Sequence, residues 1–298
     1  MKEELLKTYF ECIPCIIKQA VITLELCNSS IDLRKKVISS LLNELRDIDY
    51  NLSPSENTDI AYEIVAKYTG ISDPYLAMKK EHNIKALELY PELEKMLNLS
   101  GDRLYMAAKI AISGNIIDMG ISSNHESDMD FNLIMKNIKE LPLAIDDFCG
   151  FYKIFTESQN ILYMADNAGE IVFDKIFISE LAASGKNITV SVKSGPIIND
   201  ANMDDALQAG IDKIAKIVQT GHSRIGNPPG YMSAGFAKIF KNADLIICKG
   251  QGNYETLENV QAPVYFLLKA KCSSVAKELG VNYHDIVFAK SKNFGQNK

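Results

Sequence analysis

Apolar and polar positions follow one rhythm in the first half of the chain and another in the second. Up to about residue 145, apolar residues recur at helical spacing in "IIKQAVITLEL", "LRKKVISSLLNEL" and "RLYMAAKIAISGNIIDMG". Breaks fall at "CNSS", "DYNLSPSENTD", "GISDPY" and "YPEL", with Ser55 and Asp73 where N-caps belong. The acidic stretch 122–132, "SSNHESDMDFN", reads as a surface loop. From about residue 150 short runs of Ile, Val, Leu and Tyr take over: "ILYMA", "NITVSV", "KIV", "DLIIC", "PVYFLL" and "DIVFA". Helical patterns separate most of them, several closed by Gly185, Gly210 or Gly280. Near-continuous apolar strands alternating with helices predict a parallel sheet covered on both faces. The expected architecture is a doubly wound, mostly parallel α/β domain with three Rossmann-like layers over residues 149–298. An all-helical domain over residues 1–148 precedes it.

In open α/β sheets ligands bind beyond the carboxyl ends of the strands. Four successive strands here end in polar, glycine-containing loops. "ILYMA" runs into Asp166, Asn167, Ala168, Gly169 and Glu170, where a helix begins that would bury Phe173, Ile176, Phe177 and Leu181. "NITVSV" runs into Lys193, Ser194 and Gly195, with Asp200 before the next helix. "KIV" leads to "QTGHSRIGNPPG", and "DLIIC" to Lys249, Gly250 and Asn253 in "KGQGNYETLE". In a parallel sheet all four loops open on one edge, and together they predict a site.

The residue types suit an anion held beside a cation. Asp166, Asn167 and Asp200 offer hard oxygens, which Mg²⁺ or Mn²⁺ prefers over zinc. A helix N-terminus behind Gly169 favours negative charge. Lys249 can balance phosphate, with the N–H groups of Gly250 to Asn253 as a nest, and Lys193 is its rival. Metal, lysine and helix N-terminus are what phosphoryl transfer needs, since its catalysis is mainly positioning and charge stabilisation. Taken singly, Asp166 and Asp200 read slightly better as N-caps, and Asn167 before Ala-Gly can be a turn residue. "GQGNYE" lacks the third glycine of a dinucleotide fingerprint, and there is no GxxxxGK[ST].

Composition narrows the field. The chain has 298 residues, 47% hydrophobic and 23% charged, enough for a sizeable core. A net charge of −6 argues against a nucleic-acid partner. No run of 18 apolar residues predicts a membrane span, and "MKEELLKTYFECIPC" has no apolar signal core. Six cysteines (12, 15, 27, 149, 248 and 272) are too few for a disulfide scaffold of this size, so a reducing cytoplasm is expected. In "ECIPC" Pro14 fits a first helical turn, which would favour a Cys15 thiolate. Without a βαβ context or a second CxxC, a packed pair in the helical domain is the preferred reading.

"ADNAGE", "KSGPIINDA" and "KGQGNYETL", in that order behind a helical region containing "ISGNIID", resemble the metal-dependent damage-control phosphatases. That family was long known as domain of unknown function 89, and the resemblance spans essentially the whole chain. "CIPC" resembles its mainly prokaryotic branch. The resemblance implies hydrolysis of phosphomonoesters of small metabolites, sugar phosphates among them, with a divalent cation such as Mg²⁺, Mn²⁺, Co²⁺ or Ni²⁺. It implies Asp166, Asn167 and Asp200 as metal ligands and Lys249 as the phosphate lysine. Asn115 and Asp118 would approach from the helical region. Attack by Asp166 and attack by metal-bound water both stay open on these residues. So do two other classes: a nucleotide- or S-adenosylmethionine-dependent transferase, and a non-catalytic sugar-phosphate-binding protein.

Overall fold

The computed structural model describes residues 6–114 and 136–294; Asn115, Asp118 and the 122–132 stretch lie outside them. Five helices open the chain: α1 (Cys12–Leu26), α2 (Ile31–Arg46), α3 (Pro54–Thr69), α4 (Leu76–Asn98) and α5 (Arg103–Gly114). Then follow β1 (Ile145–Asp146), α6 (Phe148–Glu157), β2 (Asn160–Met164), α7 (Glu170–Ala183), β3 (Asn187–Val192) and α8 (Met203–Ala209). The chain continues through β4 (Lys216–Gln219), α9 (Ala234–Lys241), β5 (Leu245–Lys249), α10 (Gln251–Leu257), β6 (Val264–Lys269), α11 (Ser273–Leu279) and β7 (Ile286–Lys290). The seven strands form one sheet in the order β1-β7-β6-β5-β2-β3-β4, parallel except for the β6–β7 pair. The expected mostly parallel α/β fold is therefore present.

The strands alternate between two cores. Ile161, Tyr163 and Ala165 face one side with Ile247, Tyr265 and α7; Leu162 and Met164 face the other with Ile246, Cys248, Tyr254 and Phe236. The α7 face expected from sequence is realised: Phe173, Ile176, Phe177 and Leu181 are all buried. α4 and α5 pack on α7 and share its core. α1, α2 and α3 close a smaller core of their own around Ile16, Val37, Leu41 and Val65. Among the described residues, no helix is long and apolar enough to cross a membrane.

Local chemistry moves some expected boundaries. The N-cap of α3 is Ser53, not Ser55: its hydroxyl accepts the Glu56 N–H while Glu56 returns to the Ser53 N–H, a reciprocal capping box. Ser55 lies inside the helix and donates to Glu255. Asp73 accepts from the Tyr75 N–H two residues on, ahead of α4, whose N-cap position is Tyr75. The break expected at "YPEL" is absent; α4 runs through Pro91, and packing of Leu89 and Leu93 outweighs the lost backbone bond. β1 and α6 went unread, β1 being only two residues long. Cys12 and Cys15 do stand in the first turn of α1 as free thiols, but neither favours the thiolate. Burial, reinforced by the Glu255 carboxylate, pushes Cys12 up to about 11 and Cys15 upward as well.

Two substitutions should separate cap from core in urea unfolding. Ser53→Ala should cost about 1 kcal/mol through its capping box. Phe177→Ala, which empties a site between Phe151 and Tyr163, should cost about 3–5 kcal/mol. Equal losses would mean that the α7–sheet core is not the main source of stability.

Candidate active site at the strand ends

β2 has β3 on one side and β5 on the other, while the chain reaches β3 first and β5 later. The order reverses between β2 and β5, so their carboxyl ends flank a crevice of the kind that binds ligands in this architecture. Asp166 leaves β2 and Lys249–Gly250 leave β5 at this point. Gly250 has φ of 78°, and a Cβ there would sit 1.9 Å from the Asp166 Oδ2. Only glycine lets the β5–α10 turn pass so close to that carboxylate.

The loops after β2 and β3 are stitched together by backbone. The Ala201 N–H donates to the Asp166 carbonyl at 2.7 Å and the Ala168 N–H to the Asn199 carbonyl at 2.8 Å, making Asn167 and Asp200 an antiparallel pair. The three predicted ligands are thereby brought to one place. Asp166 and Asp200 are not helix caps: Gly169 occupies the N-cap of α7, and Asn202 that of α8. Asn167 donates from Nδ2 to Asp166 Oδ2 at 2.8 Å and to Glu170 Oε2 at 3.1 Å.

Glu170, in the first turn of α7, and Asp174, one turn on, both face Lys249. The Lys249 ammonium is fully buried and donates to Glu170 at 2.5 Å, Asp174 at 2.6 Å and the Ala111 carbonyl at 2.8 Å. Burial alone would lower its affinity for a proton; Asp174 and Glu170 more than offset that and raise it. Lys193 is also buried, donates to the Gly226 carbonyl and lies 3.5 Å from Asp200.

Electrostatics marks this edge as short of positive charge. Burial, then repulsion from Glu170 and Asp200, raises the Asp166 carboxyl well above the usual range. Burial lifts Asp200 to about 6 against the pull of Lys193, and Asp174 to about 7 against that of Lys249. Two buried lysines face four carboxylates in this group, so buried acidic groups outnumber buried basic ones. Among the described residues no three His, Cys, Asp or Glu side chains group as a ready metal cage. Two carboxylates and a carboxamide instead fit a hard divalent ion that keeps other positions for water and phosphate.

The remaining predicted residues lie around this centre in different states. The Gly169 N–H goes to Asn83 of α4 at 2.6 Å, and its missing Cβ makes room for His82, so the close approach there is by α4. Ser194 accepts from the Gly221 N–H at 2.6 Å, and a Cβ on Gly195 would sit 2.5 Å from the Ser223 hydroxyl. Asn253 is buried, donates to the Lys249 carbonyl at 2.8 Å and accepts from Asn227 at 2.6 Å. Sequence reading missed Glu170 and Asp174 as partners of Lys249, although their i, i+4 spacing opposite a strand-end lysine was a usable signal. It also missed Lys271, an exposed cation beyond β6 whose charge opposes the upward shifts of Asp166 and Asp200.

Known proteins resemble the chain over nearly its whole length. A damage-control phosphatase of Pyrococcus horikoshii is 32% identical over 290 residues, covering 96% of this chain and 99% of its own. One of Archaeoglobus fulgidus is 31% identical over 281 residues, covering 93% and 96%. The crystal structure of a DUF89 family protein from Pyrococcus horikoshii superposes with a TM-score of 0.89 at 32% identity, covering 96% of this chain and all of that one. The damage-control phosphatase ARMT1-like domain matches residues 8–287, and the chain belongs to that family of phosphatases.

Proposed function

We propose that this phosphatase hydrolyses phosphomonoesters of small metabolites, sugar phosphates in particular, with one divalent cation held by Asp166, Asn167 and Asp200. The observation that carries the reading is the backbone pairing of the loops after β2 and β3 that bear these three residues, beside the β2–β5 switch point, where buried negative charge exceeds positive. Mg²⁺, Mn²⁺, Co²⁺ and Ni²⁺ all suit the oxygen donors, and a reducing cytoplasm suits the free cysteines. When bound, the cation supplies the charge that lets neighbouring carboxylates ionise together and that stabilises phosphoryl oxygens. Asn167 spends its amide hydrogens on Asp166 and Glu170, which would leave its carbonyl oxygen available to the cation. The helical region closes over the strand ends, and Asn115 and Asp118, outside the described residues, are proposed to approach the substrate from there. The transferase reading is weaker because the β2–α7 turn is Asp-Asn-Ala-Gly, without a glycine-rich phosphate loop.

The two buried lysines take different parts in this proposal. The Lys249 hydrogens are committed to Glu170, Asp174 and Ala111, so Lys249 fixes Glu170 and, through it, Asn167. Lys193, beside Asp200, is the better placed of the two to balance phosphate charge.

Phosphate release from a sugar-phosphate panel, after chelation and re-addition of each cation, tests the assignment. Chelation should abolish activity reversibly. Asp166→Ala should lower turnover at least a hundredfold with its circular dichroism unchanged; wild-type-like turnover would sink the metal site.

Lys193→Met and Lys249→Met should part company. The first should raise KM and lower kcat about a hundredfold in a folded protein. The second should lose about 3–5 kcal/mol of stability, because it strands two buried carboxylates. A stable Lys249→Met with collapsed turnover, beside a near-normal Lys193→Met, would return the phosphate role to Lys249.

A further inference from the structure

Asn83 stands on α4, outside the strand-end loops, and is fully buried. Its Oδ1 accepts the Gly169 N–H at 2.6 Å, two residues beyond Asn167. Its Nδ2 donates to Asp205 Oδ1 and to Gln208 Oε1, both at 2.9 Å, on α8 just after Asp200. Asp205 uses its other oxygen to accept the Asn202 N–H at 3.0 Å, which fixes the start of α8. One carboxamide thus bonds the ends of both segments that carry the proposed ligands. Lys79, one turn earlier on α4 and also buried, lies 2.8 Å from Asp73 and 3.8 Å from Asp205. His82 packs where a Cβ on Gly169 would stand, so α4 meets the β2–α7 turn by contact as well as by hydrogen bond.

The two loops carry carboxylates that repel one another, and the backbone pairing of 166–168 with 199–201 is only one restraint on their spacing. A buried amide engaged with both segments is a second one, because leaving any of its partners unmet costs desolvation. Groups that orient ligating side chains, without touching the ion, commonly change metal affinity 10–100-fold when removed.

Resting on the metal assignment above, we infer that Asn83 is a positioning residue that pre-sets the distance between the Asp166–Asn167 loop and Asp200 for the cation. Asn83→Asp keeps an oxygen for Gly169, removes both donors and sets a negative charge against Asp205. The experiment is calorimetric titration of Mn²⁺ into chelator-stripped, full-length wild type, Asp166→Ala and Asn83→Asp, with turnover followed against Mn²⁺ concentration. The expected result is binding by wild type, loss in Asp166→Ala and a 10–100-fold weaker dissociation constant in Asn83→Asp. Near-wild-type kcat should return in Asn83→Asp at saturating Mn²⁺, since the ligands themselves are intact. Affinity within twofold of wild type in Asn83→Asp, beside loss in Asp166→Ala, overturns the role of Asn83 and leaves the metal site standing. Turnover that stays collapsed at saturating Mn²⁺ also overturns it. Absence of Mn²⁺ binding in wild type, or binding that survives Asp166→Ala, overturns the metal assignment and this inference with it. If Asn83→Asp does not fold by circular dichroism, Asn83→Ser, a smaller neutral change, takes its place under the same criteria. Failure of both to fold makes Asn83 a general stabiliser and overturns the specific role.

Discussion

Repulsion between carboxylates gathered at one edge of the sheet is the constraint on which the rest of the molecule depends. Asp166, Glu170, Asp174 and Asp200 crowd into a space where burial already disfavours their charge. A fold that holds them there must restrain them mechanically and neutralise them in part. The restraint is the short backbone ladder between the β2 and β3 loops. The partial neutralisation is Lys249 beneath the site and Lys193 beside it. What remains at this edge is more buried negative charge than positive.

That arrangement explains why the helical half is more than a cover. α3 reaches the strand-end loops through Asp59, which accepts from the Arg224 guanidinium and the Ile225 N–H at 3.0 Å each. Ser55, on the same helix, donates to the buried Glu255 of α10 at 2.6 Å. α4 holds the loops after β2 and β3. Each contact pairs a polar side chain of the helical half with a loop or helix that follows a strand at the carboxyl edge of the sheet. Substrate-sized changes in the position of α3 or α4 would therefore be felt at the site directly.

The sheet and its loops were legible in the sequence because their signals are local. Apolar runs of five or six residues mark buried strands, and a change from apolar to Asp-Asn-Ala-Gly or Lys-Gly-Gln-Gly marks where each one ends. The helix after Asn167 was legible for the same reason: Phe173, Ile176, Phe177 and Leu181 define one face by spacing alone. Pairings at long range were not legible. A strand-end lysine looks the same whether it meets phosphate or, like Lys249, two carboxylates of a helix packed above it. Asn83 sits in a helix with little apolar periodicity, and nothing near it in sequence announces partners 86 and 122 residues away. The caps at Asp166 and Asp200 failed as readings because Gly169 and Asn202, a few residues later, serve the helices better.

The missing side chain at Gly250 bears on how such an enzyme can diverge. The floor of the crevice is set by main chain pressed against Asp166, with no volume in which a mutation could place even a methyl group. Selection for a different leaving group therefore has no purchase on the β5–α10 turn and must act on other walls of the crevice, where a change in α3 or α4 also shifts the loops they hold.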